Sequence, residues 1–255
     1  MKGVWLIINM KNVHIDIENL TFSYGKSLVL KDITLHAHEG ETIGIIGQNG
    51  AGKSTLLKLI VGLYLDFTGE IKVEDILVKK KNLSEIRKMI GYVFQDSDSQ
   101  LFMSTAYEDV AFAPRNYGLP EEEVEKRTLY ALERVGALGL RDKQIYKMSG
   151  GEKKLVSIAT ILSMTPDIII MDEPSAALDP KNRRNLIKLM NSFDKLKIIT
   201  SHDLDFVMDT CNRVILIDNG SVIQDGKAED ILQNEKLLEA HGLELPLSLC
   251  NCSES

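Results

Sequence analysis

The stretch "ETIGIIGQNGAGKSTLLKLI", residues 41–60, carries an apolar run into an amphipathic helix through a glycine-rich turn. Residues 41–47 read as a buried strand, and Leu56, Leu57 and Ile60 fall on one helical face. Between them, Gly47 to Ser54 fit the pattern G-x-x-x-x-G-K-[ST] in the strand–turn–helix context that gives it meaning. Glycines let successive backbone N–H groups wrap a phosphate chain, and the helix dipole favours its negative charge. Gly47, Gln48, Asn49, Gly50, Ala51, Gly52, Lys53, Ser54 and Thr55 are therefore the expected cradle. Lys53 is placed to reach the β- and γ-phosphates, and the Ser54 hydroxyl to ligate Mg²⁺. A nucleoside triphosphate is the expected ligand.

Outward from this turn, residues 13–17 and 28–35 alternate as antiparallel strands would, with "YGK" at 24–26 as their turn. Residues 69–78 and 90–95 also read as strands. From about 96 to 165 the pattern is helical. Pro120 followed by Glu121, Glu122 and Glu123 marks a helix start, with Val124, Ala131, Val135 and Leu138 on its apolar face. Short buried strands return at 167–174, 197–200 and 213–218. The expected fold is α/β: a phosphate-loop NTPase core with an antiparallel β subdomain and an inserted α-helical lobe over about 96–165. Residues 1–11 are expected as an N-terminal extension, 12–232 as the nucleotide-binding domain and 233–255 as a C-terminal tail.

Bulk properties narrow the function. With 255 residues, 44% hydrophobic and 26% charged, the chain has an ordinary globular composition. A formal charge of −7 argues against a general binder of nucleic acid or anionic membrane. Lys79, Lys80 and Lys81, the one basic triplet, read as a solvated loop. The longest apolar runs, such as Val4 to Ile8, fall far short of the roughly 18 residues that span a bilayer. Cys211, Cys250 and Cys252 make no disulfide framework, as expected in a reducing cytosol, and the "CNC" holding the last two reads as tail.

"IIIMDE", residues 168–173, supplies acids to complement the glycine turn. Four apolar residues bury the strand and bring Asp172 to its end, where open α/β sheets bind ligands. Asp172 suits a Mg²⁺ coordination sphere, and Glu173 is placed to polarise an attacking water. The pair points to hydrolysis. A second glycine-bearing helix start, "MSGGEKK" (148–154), precedes a face of Leu155, Ile158, Ala159 and Leu162. Gly150 and Gly151 are poor helix formers. They make sense if something comes very close to the backbone there; the plain alternative is a Ser-Gly turn that only starts a helix.

The order and spacing of these motifs resemble the ATP-binding cassette (ABC) ATPases over residues of about 12–230. The resemblance implies an ABC-type core using ATP and Mg²⁺. It implies that Tyr24 stacks on adenine and that Gln95 contacts Mg²⁺ and the hydrolytic water. Within "SAALD" (175–179), Asp179 matches the acid of the loop after the catalytic glutamate, and His202 of "SHD" matches the switch histidine at the γ-phosphate. Glu173, His202, Gln95 and Lys53 are then the catalytic set, with Ser54, Gln95 and Asp172 at the metal. Two cassettes pack head to tail, so that Ser149, Gly150 and Gly151 of one cap the γ-phosphate held by Lys53 of the other. Three positions depart from the family: Glu152 stands for glutamine, Met148 for leucine, and Leu155 for a basic residue. A Glu152 carboxylate beside phosphate is expected to slow closure.

A narrower resemblance follows Gln95. "VFQDSDSQLF" and then "YEDVAFAPRNYGL" (107–119) are similar to the ATPases of cobalt and nickel importers and of energy-coupling-factor vitamin importers. It places Gln100, Leu101 and Phe102 near the groove that grips a transmembrane partner. The implied protein is a peripheral ATPase on the cytoplasmic face of the cell membrane. Its implied partners are a second cassette, a transmembrane subunit and a substrate-binding membrane component; its cargo is a metal ion first and a vitamin second. The rival reading, a soluble ABC ATPase acting on nucleic acid or ribosomes, goes with coiled coils, basic arms or tandem cassettes, and the sequence carries none.

Overall fold

The computed structural model describes residues 13–250; the expected extension at 1–11 and Cys252 lie outside the described residues. The chain opens with a long hairpin, β1 (Val13–Tyr24) and β2 (Ser27–His38), turning at Gly25 and Lys26 as "YGK" predicts. Then come β3 (Thr42–Ile46), α1 (Lys53–Ile60), β4 (Thr68–Val73) and β5 (Ile76–Leu77). Next are α2 (Leu83–Met89) and β6 (Ile90–Val93), followed by α3 (Ala106–Asn116), α4 (Glu121–Arg134) and α5 (Gly150–Leu162). The chain returns through β7 (Ile168–Asp172), α6 (Pro180–Asn191), β8 (Leu196–Thr200), α7 (Leu204–Thr210) and β9 (Arg213–Asp218). It closes with β10 (Ser221–Lys227), α8 (Ala228–Leu232) and α9 (Glu235–Ala240).

Two sheets result, a four-stranded antiparallel one ordered β2-β1-β4-β5 and a six-stranded one ordered β10-β9-β3-β8-β7-β6. The larger sheet is parallel except at β10. Its central strands are buried on both faces and mostly apolar, with Lys197 of β8 a buried exception. Ile168 and Ile170 of β7 join one core, with α1 and the small sheet, while Ile169 and Met171 join the other, under the helical lobe. Strands β3 and β7 flank β8, so the glycine turn after β3 and the acids ending β7 emerge at the same sheet edge.

Five details differ from the sequence reading. Residues 69–78 are not one strand: Glu74 and Asp75, both at positive φ (48° and 62°), turn the chain so that β5 pairs back on β4. The segment after the lysine triplet forms α2, and β10 pairs antiparallel to β9 although its own residues are largely exposed and carry no alternation. Leu138 leaves the apolar face of α4, because that helix ends at Arg134 and Gly136 turns the chain at φ 73°. Leu138 is exposed, and Thr128 and Leu132 complete the buried stripe beside Val124 and Ala131. Residues 233–250, expected as a tail, are packed: Leu238 is fully buried, and the Asp205 carboxylate accepts the backbone N–H groups of Leu247 and Ser248 at 2.9 and 3.0 Å. No helix among the described residues is long and apolar enough to cross a membrane.

Candidate active site

The start of α1 explains why a helix here is open at its N-terminus. Its N-cap is Gly52 at φ 105°, a conformation that favours glycine, and an added Cβ would also lie 2.6 Å from Leu30 Cδ2. With no side-chain cap and no acid in the first turn, the leading N–H groups remain available to an anion. Lys53 is buried beside them. Its ammonium donates to the carbonyls of Gly47 and Gln48 at 2.7 and 3.0 Å, which holds the loop curled around it. Burial draws the Lys53 pKa below the usual lysine value, and the charges of Glu173 and Asp172 oppose that fall.

Opposite stand the acids. Asp172 is 2% exposed, and its Oδ1 accepts the hydroxyls of Ser54 at 2.8 Å and Thr200 at 2.6 Å. Among the described residues, the hydrogen bonds to its carboxylate come from these neutral hydroxyls. Such an oxygen set, a buried carboxylate beside a serine hydroxyl, suits a hard divalent cation. Glu173 follows at φ 50°, a left-handed backbone that is strained for a residue with a side chain. Its N–H donates to the Thr200 carbonyl at 3.1 Å, and its Oε2 lies 2.8 Å from Nδ1 of His202. The His202 ring is 68% exposed, so this carboxylate–imidazole pair has a buried half and a wet half.

Tyr24 closes the far end. Its hydroxyl lies 3.4 Å from Thr55 Oγ1, and its ring meets Phe22 and Tyr64 edge-on, with centroids 4.8 and 5.3 Å away. Tyr24, Asn49, Gly50, Gly52, Lys53, Ser54, Thr55, Gln95 and Glu173 line one cavity of about 360 Å³, together with Val29. Residues from four separate stretches of the chain thus converge on one small-molecule-sized space.

Other expected residues lie elsewhere. The Gln48 amide turns away to donate to the His241 carbonyl at 3.1 Å. Ser149, Gly150, Gly151 and Asp179 do not line this cavity. Ser149 is the N-cap of α5: its hydroxyl accepts the Glu152 N–H at 3.3 Å, while Glu152 accepts the Ser149 N–H at 2.8 Å, a capping box. Asp179 caps α6, accepting from the backbone N and side-chain Nδ2 of Asn182, both at 2.8 Å. An added Cβ at Gly151 would lie 2.9 Å from the Ala177 carbonyl, so a neighbour within the same chain already demands that glycine.

The Glu152 carboxylate, expected to slow closure, is paired within its own chain. Both its oxygens accept from Lys143 Nζ, at 2.7 and 2.8 Å. These bonds and the Ser149 N–H hold the carboxyl pKa below the usual range.

Besides Lys143, two residues were missed from sequence. Thr200 carries no motif; only the pairing of β7 with β8 sets it against Asp172. Lys154 is 2% exposed and donates to the carbonyls of Phe94 and Gln95 at 2.9 and 2.7 Å, tying α5 to the loop that carries Gln95. Its burial lowers its pKa against the pull of Asp172, Asp96 and Glu173. A signal existed: Lys154 sits four residues before Ile158, on the buried face of α5. Of the segment expected to meet a membrane partner, Leu101 is buried and Gln100 bonds inward to Phe94 N, Ser157 O and Thr160 Oγ1. Phe102 is 65% exposed and stacks edge-on with Phe112 at 4.8 Å beside a second cavity of about 240 Å³.

The family model described as "ABC transporter" matches residues 30–176. The chain is 40% identical over 240 residues to the energy-coupling factor transporter ATP-binding protein EcfA of Carboxydothermus hydrogenoformans, covering 92% of this chain and 88% of that one. Its structure is similar to that of CbiO1 from Clostridium perfringens, described as part of the ABC transporter complex CbiONQ, at a TM-score of 0.79 and 35% identity over 90% of this chain and 94% of that one. It is also similar, at a TM-score of 0.78 and 28% identity, to a dimeric ATP-binding cassette solved after hydrolysis with ADP and phosphate, covering 84% of this chain and 98% of that one.

Proposed function

Because the chain belongs to the ABC transporter family of ATP-hydrolysing cassettes, within the energy-coupling-factor and cobalt importer group, we propose that it powers an importer for a metal ion, cobalt or nickel, or for a vitamin. It does so on the cytoplasmic face of the membrane, as one half of a head-to-tail cassette dimer. A transmembrane subunit and a substrate-binding membrane component complete the assembly. The observation that carries the reading is the single cavity joining Tyr24, the glycine turn, Gln95 and Glu173.

In this reading Tyr24 stacks on the base and Phe22 and Tyr64 hold its ring. The α1 N-terminus and Lys53 bind the phosphate chain, exchanging the Gly47 and Gln48 carbonyls for phosphate oxygens. Ser54, Asp172 and Gln95 would hold Mg²⁺, which when bound would neutralise charge on the phosphate oxygens. Glu173 accepts a proton from the attacking water, and His202, fixed by its bond to Glu173, faces the terminal phosphate. Ser149, Gly150 and Gly151 lie off the cavity of their own chain, which supports a role at the partner cassette's phosphate. Exposed Phe102 and Phe112 offer an apolar edge to the transmembrane subunit.

The test is to isolate the chain with its membrane partners from cells and measure what the reconstituted complex accumulates on ATP addition. ATP-dependent uptake of cobalt, nickel or a vitamin is the expected result. Co-purification with RNA or DNA in place of membrane proteins contradicts it.

A further inference from the structure

The feature that the nucleotide site does not absorb is the ion pair at the start of α5. Glu152 stands three residues from Ser149 and two from Gly150 in the turn read above as the cap on a partner's phosphate, and a free carboxylate there opposes an incoming polyanion. The structure gives it two restraints. Ser149 N–H holds one oxygen at 2.8 Å, and the Lys143 ammonium spans both at 2.7 and 2.8 Å.

Lys143 is itself fixed. Its carbonyl accepts the Ala106 N–H at 3.2 Å, and the next residues bridge to the start of α3, with Ile145 N–H donating to Ser104 O at 3.0 Å and Thr105 paired with Gln144. Its ammonium is therefore delivered from a braced backbone, not from a floppy loop. The two side chains are 35% and 28% exposed, so this pair adds little to stability. Its consequence is electrostatic and local. A lysine reaching both oxygens neutralises the carboxylate, and it draws Glu152 back against Ser149 N–H, which holds the Ser149 hydroxyl and the Gly150 and Gly151 N–H groups in one arrangement.

We propose that Lys143 is a positioning residue for the phosphate-capping turn, one this chain requires because Glu152 stands where the family has glutamine. The inference rests on the reading of Ser149 to Gly151 as the cross-dimer cap. It concerns closure and turnover, not the first binding of nucleotide, which takes place at the Lys53 cavity away from this turn.

The test is a four-variant cycle of Lys143→Met and Glu152→Gln, with Lys143→Arg as the conservative variant and Ser149→Arg as a control on the cap itself. Steady-state turnover and the nucleotide affinity of the separated cassette are measured for each. Lys143→Met is expected to lower kcat about tenfold with affinity unchanged, and Lys143→Arg to recover most of it. In the Glu152→Gln background the same substitution should change kcat by less than about twofold, since no carboxylate is left to neutralise. Equal losses in both backgrounds, which a merely structural lysine would give, overturn the proposal, as does full activity of Lys143→Met in the parental background. Retained turnover in Ser149→Arg overturns the cap reading and this inference with it. An inactive Ser149→Arg with equal losses in the cycle removes the inference alone.

Discussion

Two helices in this molecule begin on glycine-rich turns, and they are finished in opposite ways. Helix α1 starts at Gly52 with no capping side chain and no acid in its first turn, and a buried lysine stands beside it. Helix α5 starts at Ser149 with a reciprocal Ser149–Glu152 capping box backed by Lys143. An uncapped helix end retains its demand for an anion, whereas a capped one is complete without a ligand. The difference fits α1 as the resident phosphate site and α5 as a surface that meets phosphate only when a second cassette brings it.

Substitutions that strike one end or the other should separate these roles. The largest effect on binding is expected from Lys53→Ala, which removes the ammonium curled under the glycine turn: ATP affinity of the separated cassette should fall by at least about 10²-fold, and turnover with it. Titration with a fluorescent ATP analogue measures this, and parental affinity would break the assignment of α1. Next comes Glu173→Gln, which keeps size and hydrogen bonding but removes the proton acceptor. Hydrolysis should drop by roughly 10²–10⁴ while ATP binding survives. A closed dimer should then accumulate with ATP and Mg²⁺, visible as a doubled mass in light scattering; parental turnover would remove Glu173 from its role. The smallest effect is expected from Asp179→Ala. Since Asp179 caps α6, the change should cost about 1 kcal/mol in urea unfolding and leave nucleotide affinity of the separated cassette in place. A weakened affinity would mean that Asp179 reaches the ligand after all.

The α1 end was legible in the sequence because one contiguous motif specifies it: strand, glycine turn, lysine and helix face all lie within residues 41–60. The buried run before Asp172 was legible for a similar reason, since a short β-branched apolar run ending at an acid fits a strand covered on both faces. What escaped depends on register and reach. Thr200 meets Asp172 through the pairing of β7 with β8, and Lys143 meets Glu152 from the connection between α4 and α5. Lys154 was hidden by its charge, since a lysine beside a second lysine reads as solvated, while its carbonyl partners lie some sixty residues upstream. The hairpin of β4 and β5 escaped because Glu74 and Asp75 adopt positive φ without a glycine to announce it.

If α1 of one chain and α5 of another make one site, mixing two dead variants rebuilds it. Lys53→Ala lacks a working phosphate loop, and Ser149→Arg lacks a working cap. Each should be inactive alone. In a heterodimer one composite site carries both defects and the other carries neither. Random mixing in equal amounts should therefore restore about a quarter of the parental ATPase activity, the share of sites left whole in a two-fold dimer. No recovery, with heterodimers demonstrated by differently tagged chains, would contradict the account.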